Sequence, residues 1–378
     1  MARPTTADDP LISPSSGGKA SLPRVRSWAR SALPIAPLLV IGVCLGPQGL
    51  NLFTLPVLAA IDPAVPVALA AIGCRLGLSL ERRPRARGAR ALAIAATGHG
   101  IVTVTVVALG LSALSGLGST PATPAWLLPI VAGLCAASSL TLPRRGPADL
   151  RRRADAIVDL EAIGGLILGA GVLAATRTSS WQTTASTLAQ SVSIITLVAG
   201  AGWLFVTHTT RPTEGRVFAI GTALLVGGMA DYLTFSPLLG GLAAGALWQR
   251  LGGPSRETLH REVLYAQHPL VVLVLLVAGA RAEVAPTTLG LAAGYAGLRL
   301  VARLACHAAT RRLAPAAAAG AGLPLLDPGI VGVAFVLTVL RAVGTGETVP
   351  ALAVSVVVLG TILAVGVAHV GPRAGDDQ

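Results

Sequence analysis

Three carboxylates, Asp155, Asp159 and Glu161, stand in the stretch from Arg153 to Gly171, where the chain turns apolar. A charged residue at bilayer depth costs roughly 2.5–3.5 kcal/mol even on lenient insertion scales, so it normally has a partner or a task. For a carboxylate the tasks are holding a cation or carrying a proton. Arg299 and Arg303 lie four apart in another apolar run and share one helix face. Arginine stays protonated, so it can be a fixed counter-charge while the carboxylate titrates. Asp159 and Glu161 point about 200° apart around a helix, so a regular helix offers only one of them to a given site. The plainer alternatives are structural ion pairs for the acids and, for Arg303, a stem that carries the guanidinium to the inner surface. Asp155, beside Arg153, reads as an interfacial helix start.

The elements that position these residues follow from composition. With 53% hydrophobic residues, 12% charged residues and a mean hydropathy of +0.72, the sequence reads as an all-α polytopic membrane protein with one membrane domain. Its 44 glycines suit close helix packing in lipid. The net charge of +12 does not imply nucleic acid, because the arginines lie between apolar runs, as cytoplasmic loops do. Cys44, Cys74, Cys135 and Cys306 sit inside apolar runs without CxxC spacing or clustered histidines, so neither a metal site nor a redox cofactor is expected. No Ser/His/Asp constellation converges at one depth, which argues against an enzyme. The absence of a G-x-x-x-x-G-K-[ST] loop leaves an ion gradient as the driving force.

Residues 1–31, rich in Pro, Ser, Gly and Arg, read as a disordered cytoplasmic tail, and no signal-peptide cleavage site closely follows the first apolar stretch. A membrane domain is expected over 32–370 and a cytoplasmic C-tail over 371–378. About twelve apolar runs of membrane length can be counted: 31–46, 63–80, 91–116, 124–142, 154–176, 184–209, 217–235, 237–249, 263–280, 286–310, 314–341 and 349–370. Of the 29 Lys and Arg residues, only Arg177, Arg281 and Arg341 fall in loops on the opposite side, and Arg75, Arg299 and Arg303 fall within runs. The rest mark one side, predicting a multi-pass inner-membrane protein with both termini cytoplasmic.

Helix rise converts sequence distance into depth. Asp159 comes out about 9 Å deep, Arg75 about 10 Å, Glu161 and Arg303 about 12 Å, His99 about 13 Å and Arg299 about 18 Å, in a core about 30 Å thick. Depth and face favour Asp159 as the titrating group, with Arg303, or failing it Arg299, as counter-charge. His99 reads as structural, and Asp231, toward the outer end of the seventh run, as lining a vestibule or marking the interface. Two runs look broken. The fourth gathers Ser138, Ser139 and Thr141 before Pro143, and the eleventh carries Asp327-Pro328-Gly329. Interrupted helices in corresponding halves point to an ion site near the midplane, although hydroxyl back-bonding and a proline kink would explain each one singly.

Several phrases resemble the monovalent cation:proton antiporter superfamily, the sodium/hydrogen exchanger family. Leu45-Gly46-Pro47-Gln48-Gly49-Leu50 is similar to its Gly-Pro-x-Gly-Leu, and Ile72-Gly73-Cys74-Arg75-Leu76-Gly77-Leu78 to its Gly-Leu-Glu helix. Ser236–Gly245 resembles its small-residue helix, and Leu325–Val331 its Pro-Gln-Gly-Gly motif. The order and spacing hold over almost the whole chain after residue 35.

The resemblance implies two inverted-topology repeats, with broken helices four and eleven crossing beside an ion-binding aspartate on helix five and a basic residue on helix ten. Two registers stay open. In one, Val158-Asp159 occupies the family's Gln-Asp or Asn-Asp pair. In the other, Asp159-Leu160-Glu161-Ala162 matches a preceding Glu-x-Glu-Ser stretch, and Gly165-Leu166 replaces the pair. Arg75 and Ser79 also depart from the pattern. The expected function is exchange of Na+ or K+ for H+ by alternating access, with the bilayer and a second copy of the chain as partners. The alternative is a non-transporting relative acting as sensor or scaffold.

Overall fold

Long apolar runs away from water leave the backbone one economical way to satisfy its N–H and C=O groups, and all the regular structure among the described residues is helical. The computed structural model describes residues 35–82, 89–115, 126–137, 148–177, 180–209, 211–313, 329–343 and 348–370. In chain order the α-helices are α1 (Ile35–Leu45), α2 (Leu55–Ile61), α3 (Ala64–Leu78), α4 (Ala89–Ser115), α5 (Leu127–Ala137), α6 (Ala148–Arg177) and α7 (Trp181–His208). They continue with α8 (Pro212–Tyr232), α9 (Pro237–Leu251), α10 (Gly253–Ala280), α11 (Pro286–Leu313), α12 (Ile330–Val343) and α13 (Thr348–Val370).

Each apolar run read from the sequence overlaps one of these helices. Among the described residues, six helices are long and apolar enough to cross a membrane: α4, α6, α7, α10, α11 and α13. The pair α2 and α3, bent by 50°, makes a seventh if taken as one span. That bend was not among the breaks expected from the sequence, because the second run was started at Pro63 and α2 left out. Pro63 has no N–H with which to continue the α2 ladder. Of the expected break residues, Ser138, Ser139, Thr141 and Asp327 lie outside the described residues, as do both tails. Gly329 is described and buried, directly before α12.

Glycine spacing sets the tightest contact in the bundle. A Cβ on Gly73 would lie 1.9 Å from the Leu238 carbonyl oxygen, and one on Gly241 would lie 1.9 Å from that of Ala70. Gly77 and Gly245 meet the opposite backbone in the same way. Thus α3 and α9 cross backbone to backbone through two small-residue pairs spaced by four. These are two of the phrases that carry the family resemblance, and here they have a steric reason.

The helices α7 and α8 form a hairpin. Trp181 at its start and Tyr232 at its close share one end, and both are exposed, as aromatics at a membrane–water interface are. On the inward side Trp248 of α9 donates through Nε1 to the Ala199 carbonyl of α7 at 2.8 Å, so its indole is buried without an unmet donor.

Candidate functional site

On α6 the buried positions Val158, Ala162, Leu166, Ala170 and Leu173 recur every three or four residues, while Gly164, Ile167 and Leu168 face outward. Glu161 falls on the buried stripe; Asp159 lies off it and is half-buried. On α11 the buried stripe is Ala292, Tyr295, Arg299, Ala302, Arg303 and Cys306. The two stripes bring Glu161 and Arg303 together in the interior.

Arg303 Nη1 donates to Glu161 Oε2 at 2.8 Å, and the two side chains are 1% and 0% exposed. Arg303 Nη2 donates to the carbonyls of Ala137 at 2.6 Å and Ala136 at 3.1 Å. Those are the last two residues of α5, where orphan carbonyls gather the negative end of the helix dipole. One guanidinium therefore ties three helices to a carboxylate and a helix end. Its fork geometry allows this where an ammonium would act as a point charge. The pairing expected from depth, Asp159 with Arg303, is replaced by Glu161 with Arg303. The rotation of α6 about its axis decides between them, since it puts Glu161 on the buried stripe and Asp159 off it. Being buried and paired, Arg303 does not reach the inner surface.

Glu161 Oε1 and Arg303 Nε have no hydrogen-bond partner among the described residues. Nearby lie Arg299, within electrostatic reach of Glu161, Cys135 and Tyr295, and the buried Thr103. Cys306 Sγ donates to the His99 carbonyl at 3.9 Å. Arg75 is exposed. Among the described residues, a Cβ on Gly165 would meet only Leu134 O at 3.5 Å and Ala137 Cβ at 3.9 Å. Chemically, the centre offers one carboxylate oxygen and nearby carbonyl dipoles, which suit a proton or a hard monovalent cation. No group of three His, Cys, Asp or Glu among the described residues could hold a metal.

A second charged centre lies at the other end of α6. Asp62, at the α2–α3 bend, accepts from Arg281, which caps α10, and from Arg341 of α12. Arg341 Nη2 also reaches Asp231 Oδ2 at 3.0 Å and Oδ1 at 3.1 Å. Two of the three arginines on the opposite side in the charge count are thus neutralised here. Asp231 and Arg341 line an open pocket of about 170 Å³ with Ala170, Leu173, Ser191 and Thr338. Asp62 went unremarked in the sequence. The available signal was an acid followed by proline between two apolar runs.

No family model matches the chain, and no curated protein matches it. Among solved structures the fold is similar to that of the sodium proton antiporter MjNhaP1 from Methanocaldococcus jannaschii at pH 8. The TM-score is 0.59, the identity 14%, and 88% of each chain is covered. The chain is a multi-pass membrane protein with a sodium/proton exchanger-type fold.

Proposed function

We propose that this protein is a secondary transporter that exchanges a monovalent cation for H+ by alternating access, with Glu161 as the group for which the two compete. The observation that carries the reading is Glu161 itself. It is a carboxylate without exposed side-chain surface on a membrane-length helix, and it is paired to Arg303 through one oxygen only. The fold likeness to a sodium proton antiporter supports it.

In the empty state Arg303 neutralises Glu161, which lowers the cost of a bare charge at depth. A proton on Glu161 weakens that attraction, and Arg303 keeps the Ala136 and Ala137 carbonyls, so it has no need to leave. A cation approaching Oε1 meets the oxygen that Arg303 does not use. One negative charge cannot balance both ligands, and this makes the exchange coupled. Arg299 adds a second fixed positive charge nearby, and Asp159 is the alternative ligand. Twelve crossings in two inverted repeats, breaks at Ser138–Thr141 and Asp327–Gly329, cytoplasmic termini and a homodimer complete the reading.

The test is reconstitution in vesicles with an internal pH dye, adding Na+, K+ or Li+ across a pH series without nucleotide. Cation-dependent proton movement is expected, and it disappears in Glu161→Gln. Silence toward every cation moves the reading to a non-transporting relative.

A further inference from the structure

Between the two charged centres α6 carries Gly169, and Phe335 of α12 rests on it. A Cβ at Gly169 would fall 2.2 Å from the Phe335 Cζ and 2.5 Å from its Cε2, so the ring lies directly on the glycine backbone. Phe335 is buried. Its place along both helices is informative. On α6, Gly169 is eight residues beyond Glu161, about 12 Å by helix rise, and directly precedes the pocket-lining Ala170. On α12, Phe335 lies one turn before Thr338, which lines the same pocket, and two turns before Arg341. On these two helices the pocket lining stops at Ala170, the residue after Gly169, and at Thr338, about one turn after Phe335, while Glu161 lies about two turns further along α6. Water and ions do not pass a close-packed aromatic contact.

We propose that the pocket at the far end of α6 is one half of the cation pathway and that Phe335, seated on Gly169, is the seal closing it from Glu161. This rests on the transport reading for its purpose and on geometry for its location. The hydroxyls and the Asp231–Arg341 pair give the pocket walls suited to a hydrated cation, whereas the ring offers none of the polar groups needed to carry one further. A side chain at Gly169 would collide with the ring, so the glycine lets the ring close directly on the α6 backbone.

The experiment is thiol labelling in a background with Cys44, Cys74, Cys135 and Cys306 replaced by alanine, using a membrane-impermeant maleimide applied from each side. Leu173→Cys reports the pocket, and the side that labels it defines the pocket side. Gly165→Cys reports the space beyond the ring, and the ordinary contacts around Gly165 accept the side chain. With Phe335 present, Gly165→Cys is expected to label slowly from the pocket side; Phe335→Ala raises its rate to that of Leu173→Cys.

Three results would overturn the proposal. They are Leu173→Cys labelling from neither side, Gly165→Cys labelling as fast as Leu173→Cys with Phe335 in place, and a Gly165→Cys rate unchanged by Phe335→Ala while Leu173→Cys still labels. If Phe335→Ala abolishes Leu173→Cys labelling through misfolding, Phe335→Leu replaces it and the same rates decide. Labelling needs no gradient, so a protein that labels as expected yet moves no cation keeps the seal and loses the exchange reading.

Discussion

The two charged centres, one on α6 and one beside its far end, use the same chemistry under opposite constraints. The inner one sets one carboxylate against Arg303 with exposures of 0% and 1%, and leaves Glu161 Oε1 without a partner among the described residues. The outer one sets two aspartates against two arginines at 14–40% exposure, and both Asp62 and Arg341 serve two partners. Burial without redundancy is costly to keep, because each charge has been taken out of water and is hydrogen-bonded to a single opposite charge. Shared, partly wetted pairs cost less and lose less when one member goes.

The contrast can be broken most sharply at Glu161. Glu161→Gln keeps size and a hydrogen-bond acceptor for Arg303 but removes the titrating charge, so cation-driven proton flux in vesicles is expected to vanish with the fold retained. Arg281→Gln, which alters only the second centre and lies outside the pocket lining, should leave measurable flux. Flux retained in Glu161→Gln and lost in Asp159→Asn would transfer the role to Asp159.

Next in size is Arg303→Met, which strands a buried carboxylate and the α5 carbonyls; a loss of about 3–5 kcal/mol is expected, measured by thermal unfolding in detergent. In a Glu161→Gln background the same change should cost much less, since the stranded charge is gone. Equal costs in both backgrounds would mean that the carbonyl contacts, not the ion pair, dominate.

Arg341→Gln should cost about 1–2 kcal/mol, because Asp62 retains Arg281 and Asp231 is partly hydrated. Its cost should shrink at high salt, whereas that of Arg303→Met should not, since ions screen only charges that water reaches. The smallest effect is expected for Arg281→Gln, below about 1 kcal/mol, because Arg341 still serves Asp62. An Arg281→Gln loss larger than that of Arg341→Gln would reverse the assigned hierarchy.

Much of this arrangement was legible before any coordinates. The two arginines on α11 were paired by spacing four, and that spacing survives as one buried stripe. The motif glycines Gly73, Gly77, Gly241 and Gly245 fall in two of the phrases that resemble the family, and each meets a neighbouring backbone. The partner of Arg303 was not legible. Rise arithmetic separates Asp159 and Glu161 by only about 3 Å in depth, within the error of locating a helix start. The network at Asp62 escaped for a related reason, since its members lie 50 or more positions apart in sequence and no local pattern joins them.

Hydropathy and the placement of arginines by themselves determined that this chain is a many-helix membrane protein with acids and arginines at shared depth. Those signals are sums over many residues and tolerate local error. Only the tertiary structure decided that Glu161 rather than Asp159 meets Arg303, that Arg303 also holds the α5 end, and that Phe335 rests on Gly169. Each of these depends on how far one helix is turned about its axis, and a turn of about 100° moves the contact to the next residue. That angle is set by packing against neighbours distant in sequence, among them Gly169 beneath the Phe335 ring.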